Sequence, residues 1–361
     1  MIAMFSCLCL MTMYKLLPEQ LCSPVARALQ SGSISHLAAW LASPFDSSTN
    51  IFIPEGTPAH SIFNLSMLVM GICAAIFVTV AGLLTYTIIR FRHRRGYTVQ
   101  EPPQIYGSNQ IELSWTVIPV LIIVVLFLAT TRVIYMTEHA PRPANALDVT
   151  VIAHQYWWEY RYPKLGIVTA NELHVPVSSF LYRRPTYLTM ISADTDHSFW
   201  VPELAGKMDV IPNKVNVMWI DPDRTGIFLG QCAQYCGVQH AKMLIRVYAD
   251  TPAQFAAWVA GQQKPAVQDP SVAEGREVFL RNACVNCHTI SGTAAHGTFG
   301  PNLSHLASRD TFASGSVPYT TTNLRAFIND PATFKPGSLM PAMHLNDRDL
   351  DAVVRYLATL R

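Results

Sequence analysis

The chain has 361 residues, of which half are apolar and only 14% are charged, with a formal net charge of +2. It has no basic stripe interleaved with aromatic residues, which argues against nucleic-acid binding, and its low charge is unusual for a soluble protein. Four of the eight cysteines fall in two close pairs, Cys232 with Cys236 and Cys284 with Cys287. Such pairs are typical of metal or cofactor sites and not of a disulfide framework.

The first segment, residues 1–60, matches no processing signal well. Residues 1–13 are apolar but lack the leading positive charge of a signal peptide. Cys22 follows Gln20-Leu21, which is a poor match to a lipoprotein cleavage site. The sequence therefore leaves N-terminal processing open.

The second segment, residues 61–137, is predicted to hold two membrane spans, at about 62–89 and 113–134. Residues 62–89 and 113–131 carry no charge, and each stretch can cross a hydrocarbon core of about 30 Å at roughly 1.5 Å per residue. Arginines between the spans predict a cytoplasmic loop, which puts both termini outside. These arginines are Arg90, Arg92, Arg94 and Arg95.

Residues 138–252 are predicted to form a small all-β domain. Between Tyr156 and Tyr162 the aromatic residues at even positions share one face of a strand, while Trp157, Glu159 and Arg161 share the other. Similar runs recur near 175, 187–191, 215–220 and 244–248, separated by Pro, Gly, Asn and Asp. About a hundred residues of this pattern indicate a sandwich or barrel.

A cluster of soft ligands lies inside this β region. Cys232, Cys236, His240 and Met243 fall within one short stretch, and His197 supplies a second imidazole from a loop between strands. Thiolate, imidazole and thioether together suit copper, and two cysteines permit a pair of bridging thiolates and hence two copper ions. A disulfide between the cysteines and a zinc site made of both cysteines and both histidines are the alternatives.

Residues 253–270 are predicted to be a linker, because the stretch from 260 is rich in Gln, Lys and Pro. Residues 271–361 are predicted to be a small helical domain. Ser271 and Glu274 have the spacing of a capping box, and Asn346 can cap a final amphipathic helix.

This last domain carries the motif Cys284-Val285-Asn286-Cys287-His288. Two thiols at this spacing can add across the vinyl groups of one haem, with the next imidazole as an axial ligand of the iron. A redox disulfide or half of a zinc site is the alternative reading. The motif predicts one covalent haem c, bound through Cys284 and Cys287, with His288 on the iron.

The second axial ligand is predicted to be Met340, directly before Pro341, with Met343 as the competitor. A thioether ligand raises the reduction potential. The Met340 segment resembles the ligand loop of bacterial cytochromes c. The same resemblance implies that the Pro301 carbonyl accepts the free ring N–H of His288 and fixes its tautomer.

The chain as a whole resembles subunit II of haem-copper cytochrome c oxidase, in the version with a cytochrome c domain fused at the C-terminus. The resemblance covers about 61–361 and rests on motifs at 111–115, 155–158, 197–202, 232–243 and 284–288. It implies a multi-domain fold, made of a two-helix transmembrane hairpin, an all-β cupredoxin-like barrel and an all-α class I cytochrome c domain.

The resemblance also implies a dinuclear copper centre, CuA. The residues at the family's ligand positions are Cys232 and Cys236 as bridges, His197 and His240 with one copper each, Met243 as a weak ligand, and the backbone carbonyl of Gln234. Many members have Glu at the position of Gln234, and its carboxylate also binds magnesium. A neutral amide is a weaker ligand for a hard cation, which argues against a magnesium site here.

Two further positions bear on electron and proton transfer. Tyr156 stands where members served by soluble cytochrome c usually have the electron-accepting Trp, so Tyr156, Trp157 and Trp158 are the candidates. Core packing is the alternative for all three. Glu112 stands at the position that marks the mouth of a proton channel into subunit I, or it is an ordinary interface residue. Three other histidines, His174, His296 and His305, are predicted to be structural.

The implied function is that of an electron-transfer subunit of a proton-pumping terminal oxidase in the bacterial cell membrane, with its metal domains on the periplasmic or outer side. Electrons from cytochrome c, or from a quinol–cytochrome c reductase-type donor, would pass through haem c and CuA to subunit I, which reduces dioxygen. Subunit III is a further expected partner. The alternatives are a nitric-oxide-reducing complex and a membrane-anchored redox carrier. A short linker would keep the cytochrome domain at an effective concentration on the order of millimolar.

Overall fold

A computed structural model describes residues 49–92, 104, 106–139, 142–178, 184–267 and 269–361. Most of the N-terminal segment, together with Arg94 and Arg95, lies outside the described residues. The helices are α1 Thr57–Arg90, α2 Asn109–Glu138, α3 Pro252–Gln262, α4 Ala273–Arg281, α5 Cys284–Cys287, α6 Thr321–Asn329 and α7 Asp347–Thr359.

Helices α1 and α2 form the predicted hairpin and are longer than the predicted spans at both ends. Both are long and apolar enough to cross a membrane, and their internal hydrogen bonds satisfy the backbone in lipid. Each helix is hydrogen-bonded to the domain that follows, α1 through its N-terminal end and α2 through its C-terminal end. The hydroxyl of Thr57 donates to Asp221 at 2.8 Å, and the indole of Trp219 donates to the carbonyl of Thr137 at 2.7 Å.

Ten strands follow, in two five-stranded sheets that pack face to face. The sheets have the orders β3-β2-β1-β5-β8 and β4-β10-β9-β6-β7. Pairs β1–β5 and β4–β10 are parallel and the other pairs are antiparallel. The strands are β1 Leu147–His154, β2 Trp157–Tyr162, β3 Ile167–Ala170, β4 Glu172–Pro176, β5 Thr186–Ser192, β6 His197–Trp200, β7 Met208–Val210, β8 Asn216–Ile220, β9 Gly226–Cys232 and β10 Leu244–Asp250.

The alternation predicted for strand β2 determines its place in the core. Trp158, Tyr160 and Tyr162 are buried between the sheets. On the opposite face Arg161 is exposed, but Trp157 and Glu159 are buried as well. Both faces of the strand are therefore packed against protein, unlike those of a strand with one face in solvent.

The predicted linker at 253–270 begins with a helix. A capping box of Thr251 and Gln254 starts α3, and Phe255 is buried in the core of the sheets. Trp258 packs against Tyr162 with ring centroids 5.2 Å apart. Helix α3 is therefore part of the domain that precedes it. We call strands β1–β10 with α3 the β domain.

Residues 270–361 form a separate hydrophobic core, which we call the C-terminal domain. Its helices α4 and α7 cross so closely at Gly275 that a Cβ there would collide with the backbone carbonyl of Ala352 and lie 2.8 Å from the Cβ of Tyr356. A two-strand ribbon joins β11 Thr311–Phe312 to β12 Val317–Pro318.

One of the two predicted helix caps in this domain is confirmed. Asn346 accepts the amide N–H of Asp349 at 3.0 Å and begins α7. The predicted box of Ser271 and Glu274 is wrong. Residues 270–272 form a short turn in which Asp269 accepts the Ser271 amide, and α4 begins without a side-chain cap.

Candidate metal and haem sites

The first candidate site lies where strands β6 and β9 meet the loop before β10. Cys232 is the last residue of β9 and pairs with Phe199 of β6, two residues after His197. The loop turns back through a short helix at His240–Lys242, and the Cys232 amide then bonds to the Met243 carbonyl at 2.9 Å. This turn brings residues 232–243 and His197 together.

The ligand atoms of this cluster divide between two ends. Around Cys232, the sulfur lies 3.9 Å from Nδ1 of His197 and 3.1 Å from the carbonyl oxygen of Gln234. Around Cys236, the sulfur lies 3.8 Å from Nδ1 of His240 and 3.9 Å from the sulfur of Met243. The two cysteine sulfurs are 3.9 Å apart and join the two ends.

These distances discriminate among the alternatives. A disulfide needs sulfurs about 2.05 Å apart, whereas Cys232 and Cys236 are free thiols. Among the described residues, His197, Cys232 and Cys236 have ligand atoms all within 4.8 Å of one another. His240 does not join that group, as a single tetrahedral zinc site would require. The donor set of two thiols, two imidazoles and a thioether fits copper.

A second layer of hydrogen bonds orients His197. Its Nε2–H donates to Asp194 at 2.8 Å, which leaves Nδ1 for a metal. Burial acts to raise the pKa of Asp194, but hydrogen bonds from His197, Thr195 and Gln155 lower it below its ordinary value. The sequence alone predicts no role for Asp194 or Gln155. A carboxylate three residues before a ligand histidine was the available signal for Asp194.

The second candidate site is a cavity in the C-terminal domain. Helix α5 is a single turn, so Cys284 and Cys287 lie on the same side of it and both line the cavity with His288. The ring Nδ1–H of His288 donates to the Pro301 carbonyl at 2.8 Å, as predicted. Burial lowers the pKa of His288, which favours the neutral imidazole that an iron ligand requires.

Met340 and Met343 both line this cavity and both are half-buried. Polar groups without partners lie in the same wall. Among the described residues, Nε of Arg309 and Oγ of Ser314 are buried without a hydrogen-bond partner. Burial lowers the pKa of Arg309 to about 10, so it remains a cation at neutral pH. A haem, with apolar faces and two carboxylates, fits such a lining.

The β domain completes the cavity. Gln155, Tyr156, Trp157 and Asn171 line it together with the haem-motif residues. Trp158 lies instead in the core of the β domain, with its ring 6.1 Å from that of His197. The three candidates for accepting an electron therefore fall into two groups, one at the cavity and one beside the first cluster.

A single dipeptide connects the two sites. Tyr156 lines the cavity, and its carbonyl accepts a hydrogen bond from Lys335 at 3.0 Å. Lys335 is only 5% exposed, and burial lowers its pKa to about 8. On the other side, the side-chain amide of Gln155 donates to the carbonyl of Cys236 at 2.6 Å. One face of the dipeptide thus contacts the cavity and the other contacts the ligand loop.

The remaining predicted positions lie apart from these sites. Glu112 is in the first turn of α2, with an exposed side chain. His174 donates to Asp250 at 2.8 Å and stacks between Tyr248 and Trp258, which supports a structural role. His296 is exposed and His305 is buried in the C-terminal domain.

Comparison with known families finds three matches along the chain. Residues 48–133 match the transmembrane domain of cytochrome c oxidase subunit II. Residues 170–249 match the periplasmic domain of the same subunit, and residues 272–361 match cytochrome c.

Individual relatives agree with these matches. Cytochrome c oxidase subunit 2 of Bacillus sp. (strain PS3) is 33% identical over 350 residues, which is 91% of this chain and 96% of that protein. The same subunit of Alkalihalophilus pseudofirmus is 31% identical over 316 residues, or 85% and 90%. The solved periplasmic domain of subunit II from Bradyrhizobium japonicum is 28% identical and covers 34% of this chain and 96% of that one, with a TM-score of 0.31.

The two subunit 2 relatives align over 85% and 91% of this chain, so the likeness is not that of one shared module. The two family matches imply haem and copper binding, which agrees with the two donor sets described above. The chain belongs to the cytochrome c oxidase subunit II family, as a two-span membrane subunit with a cupredoxin-like domain and a C-terminal cytochrome c domain in an oxidase complex.

Proposed function

We propose that this chain is the electron-transfer subunit of a proton-pumping terminal oxidase, which takes electrons from cytochrome c or an equivalent donor and passes them to subunit I for the reduction of dioxygen to water. A covalent haem c and a dinuclear CuA centre would supply the two one-electron carriers when bound. The observation that carries the proposal is the dipeptide Gln155-Tyr156, which contacts both the cavity and the copper-ligand loop. The outer domains then face the periplasmic or outer side of a bacterial cell membrane, and subunit III is a further partner.

The assignment of copper ligands follows the two ends of the cluster. Cys232 and Cys236 would hold copper together, with His197 and the Gln234 carbonyl as donors at one end. His240 and Met243 would be the donors at the other. Asp194 holds the His197 ring in the tautomer that leaves Nδ1 free. The side chain of Gln234 is exposed and carries no charge, which argues against a magnesium site beside it.

In the C-terminal domain, Cys284 and Cys287 would attach the haem, and His288 would offer Nε2 to its iron, because Nδ1 is held by Pro301. Arg309 and Ser314, whose buried donors lack partners, would donate to the haem carboxylates. Tyr156 and Trp157 are the aromatic residues of the β-domain wall and would accept the electron into that domain.

Glu112 is proposed to mark the entrance of the proton channel into subunit I. Its place in the first turn of α2, at the end opposite the β domain, supports that position. Carboxylates are favourable near a helix N-terminus, so this location is compatible with an ionised side chain.

Met340 is the proposed sixth ligand of the iron, and the matched residue Met343 allows a direct test. We expect Met340→Ala to abolish the near-infrared sulfur-to-iron absorption band and to lower the reduction potential, because a thioether ligand raises it. Met343→Ala should keep both properties. Absorption spectroscopy and redox titration of the two purified variants make the measurement, and the opposite outcome would assign the ligand to Met343.

The function itself is tested on the complex purified from membranes through a tag on this chain. We expect a polytopic subunit with non-covalent haems to co-purify, and the complex to consume dioxygen with reduced cytochrome c as the donor. Purification of this chain alone, or consumption of nitric oxide but not of dioxygen, would refute the proposal.

A further inference from the structure

We propose that Glu172 is a positioning residue that locks the C-terminal domain onto the β domain, so that the haem cavity stays against Gln155 and Tyr156. The two outer domains would then act as one rigid unit, in contrast to a cytochrome that swings on a linker. The importance of this lock for electron transfer rests on the proposed function, but the contacts that define it do not.

Glu172 is the first residue of edge strand β4 and is only 3% exposed. One carboxylate oxygen accepts the amide N–H of Thr311 at 2.8 Å and the hydroxyl of Thr311 at 2.7 Å. The other accepts the amide N–H of Asp310 at 3.3 Å. A carboxylate can be buried at low cost when its lone pairs are satisfied, and here the C-terminal domain satisfies three of them.

The neighbouring strand β10 continues the same contact. The hydroxyl of Tyr248 donates to the carboxylate of Asp310 at 2.9 Å. The backbone amide of Leu244 donates to the carbonyl of Ser314 at 3.2 Å, and the guanidinium of Arg246 donates to Gly315 at 3.3 Å. The segment 310–315 is therefore attached along the edge of the second sheet, with Glu172 as its most buried contact.

A second contact lies on the other side of the cavity. Lys335 donates to the Tyr156 carbonyl, and the side-chain amide of Gln239 donates to the carbonyl of Pro336. The two attached segments, 310–315 and 335–338, both contribute residues to the cavity wall. Fixing both segments therefore fixes the cavity against the β domain, which is the arrangement that rapid transfer between two sites needs.

Hydrogen bonds to a buried charge are among the stronger contacts of a protein interface. Removing the Glu172 carboxylate leaves the two Thr311 donors without a partner in the closed state. This loss raises the equilibrium constant for opening of segment 310–315 by roughly tenfold or more. Opening of a local segment is read directly by amide hydrogen exchange, whether or not electrons pass.

The test is hydrogen exchange by mass spectrometry on the complete chain, loaded with copper and haem, in detergent. We expect Glu172→Ala to speed exchange of the amides in 310–318 by about tenfold or more. Glu172→Gln keeps an acceptor oxygen for Thr311 and should remain within a few-fold of the wild type. The control is Glu203→Ala, another buried carboxylate of the β domain (6% exposed), whose ionic partner is Arg224.

The lock is supported if only the Glu172→Ala protein shows the change, with haem and copper spectra like those of the wild type. Equal exchange in Glu172→Ala and wild type, or an equal change in Glu203→Ala, overturns it. Should Glu172→Ala lose its cofactors, Thr311→Val serves instead, because it removes the hydroxyl bond to Glu172 alone; unchanged exchange of 310–318 there also overturns the lock. Failure of electron transfer in the wild type would refute the proposed function but leave this result unaffected.

Discussion

Replacing Cys232 by Ser is expected to remove the paramagnetic resonance signal of one electron shared by two copper nuclei, while the haem spectrum stays unchanged. The Cys232 sulfur lies within 3.9 Å of Cys236, His197 and the Gln234 carbonyl, so it is one of the two sulfurs that would hold both ions. A serine hydroxyl is a harder and far less acidic donor, and copper favours soft thiolate. The C-terminal domain has its own core and should keep its haem.

The matched control for this experiment is Cys73→Ser, since Cys73 is a free thiol on helix α1, away from the cluster. That variant should keep the two-copper signal at full intensity. Persistence of the signal in Cys232→Ser, or a single-copper spectrum in the wild type, would contradict the dinuclear assignment.

The largest expected effect on folding comes from Gly275→Val. A side chain at Gly275 meets the backbone carbonyl of Ala352, which cannot move aside without separating α4 from α7. Overpacking of a core costs roughly 1–3 kcal/mol, and each kcal/mol lowers the Tm of a domain of this size by roughly 4–8 °C. We therefore expect a lower Tm of the C-terminal domain and a smaller fraction of chains with attached haem.

Calorimetry and the ratio of haem to protein measure this effect. Glu277→Val is the control, because Glu277 is an exposed residue of the same helix α4 and places the same side chain away from the crossing. Equal changes in the two variants would show that helix propensity, and not the crossing of α4 and α7, limits this domain.

The sequence predicts best where the information is local. The two apolar spans, the haem motif and the ligands between Cys232 and Met243 each occupy one continuous stretch, so composition and spacing suffice to find them. The final helix is also local, since Asn346 and its partner Asp349 are three residues apart. His197 is a partial exception, because it lies 35 residues before Cys232 and spacing alone does not join it to the cluster.

The residues that join the two outer domains were not predictable in this way. Lys335 contacts Tyr156 across 179 residues of sequence, and Glu172 contacts Thr311 across 139. A single sequence carries no signal for such pairs. Helix α3 was missed for another reason: the polar composition after residue 260 hid the Pro252 start and the buried Phe255.

In the proposed function, an electron passes from the haem to copper within one chain, across the wall formed by Gln155 and Tyr156. The most direct measurement is photochemical reduction of the haem in the purified, fully loaded chain, followed by time-resolved absorption of both centres. We expect the copper to be reduced as the haem is reoxidised, at a rate independent of protein concentration. A rate proportional to concentration would mean that electrons pass between molecules, and would contradict the claim.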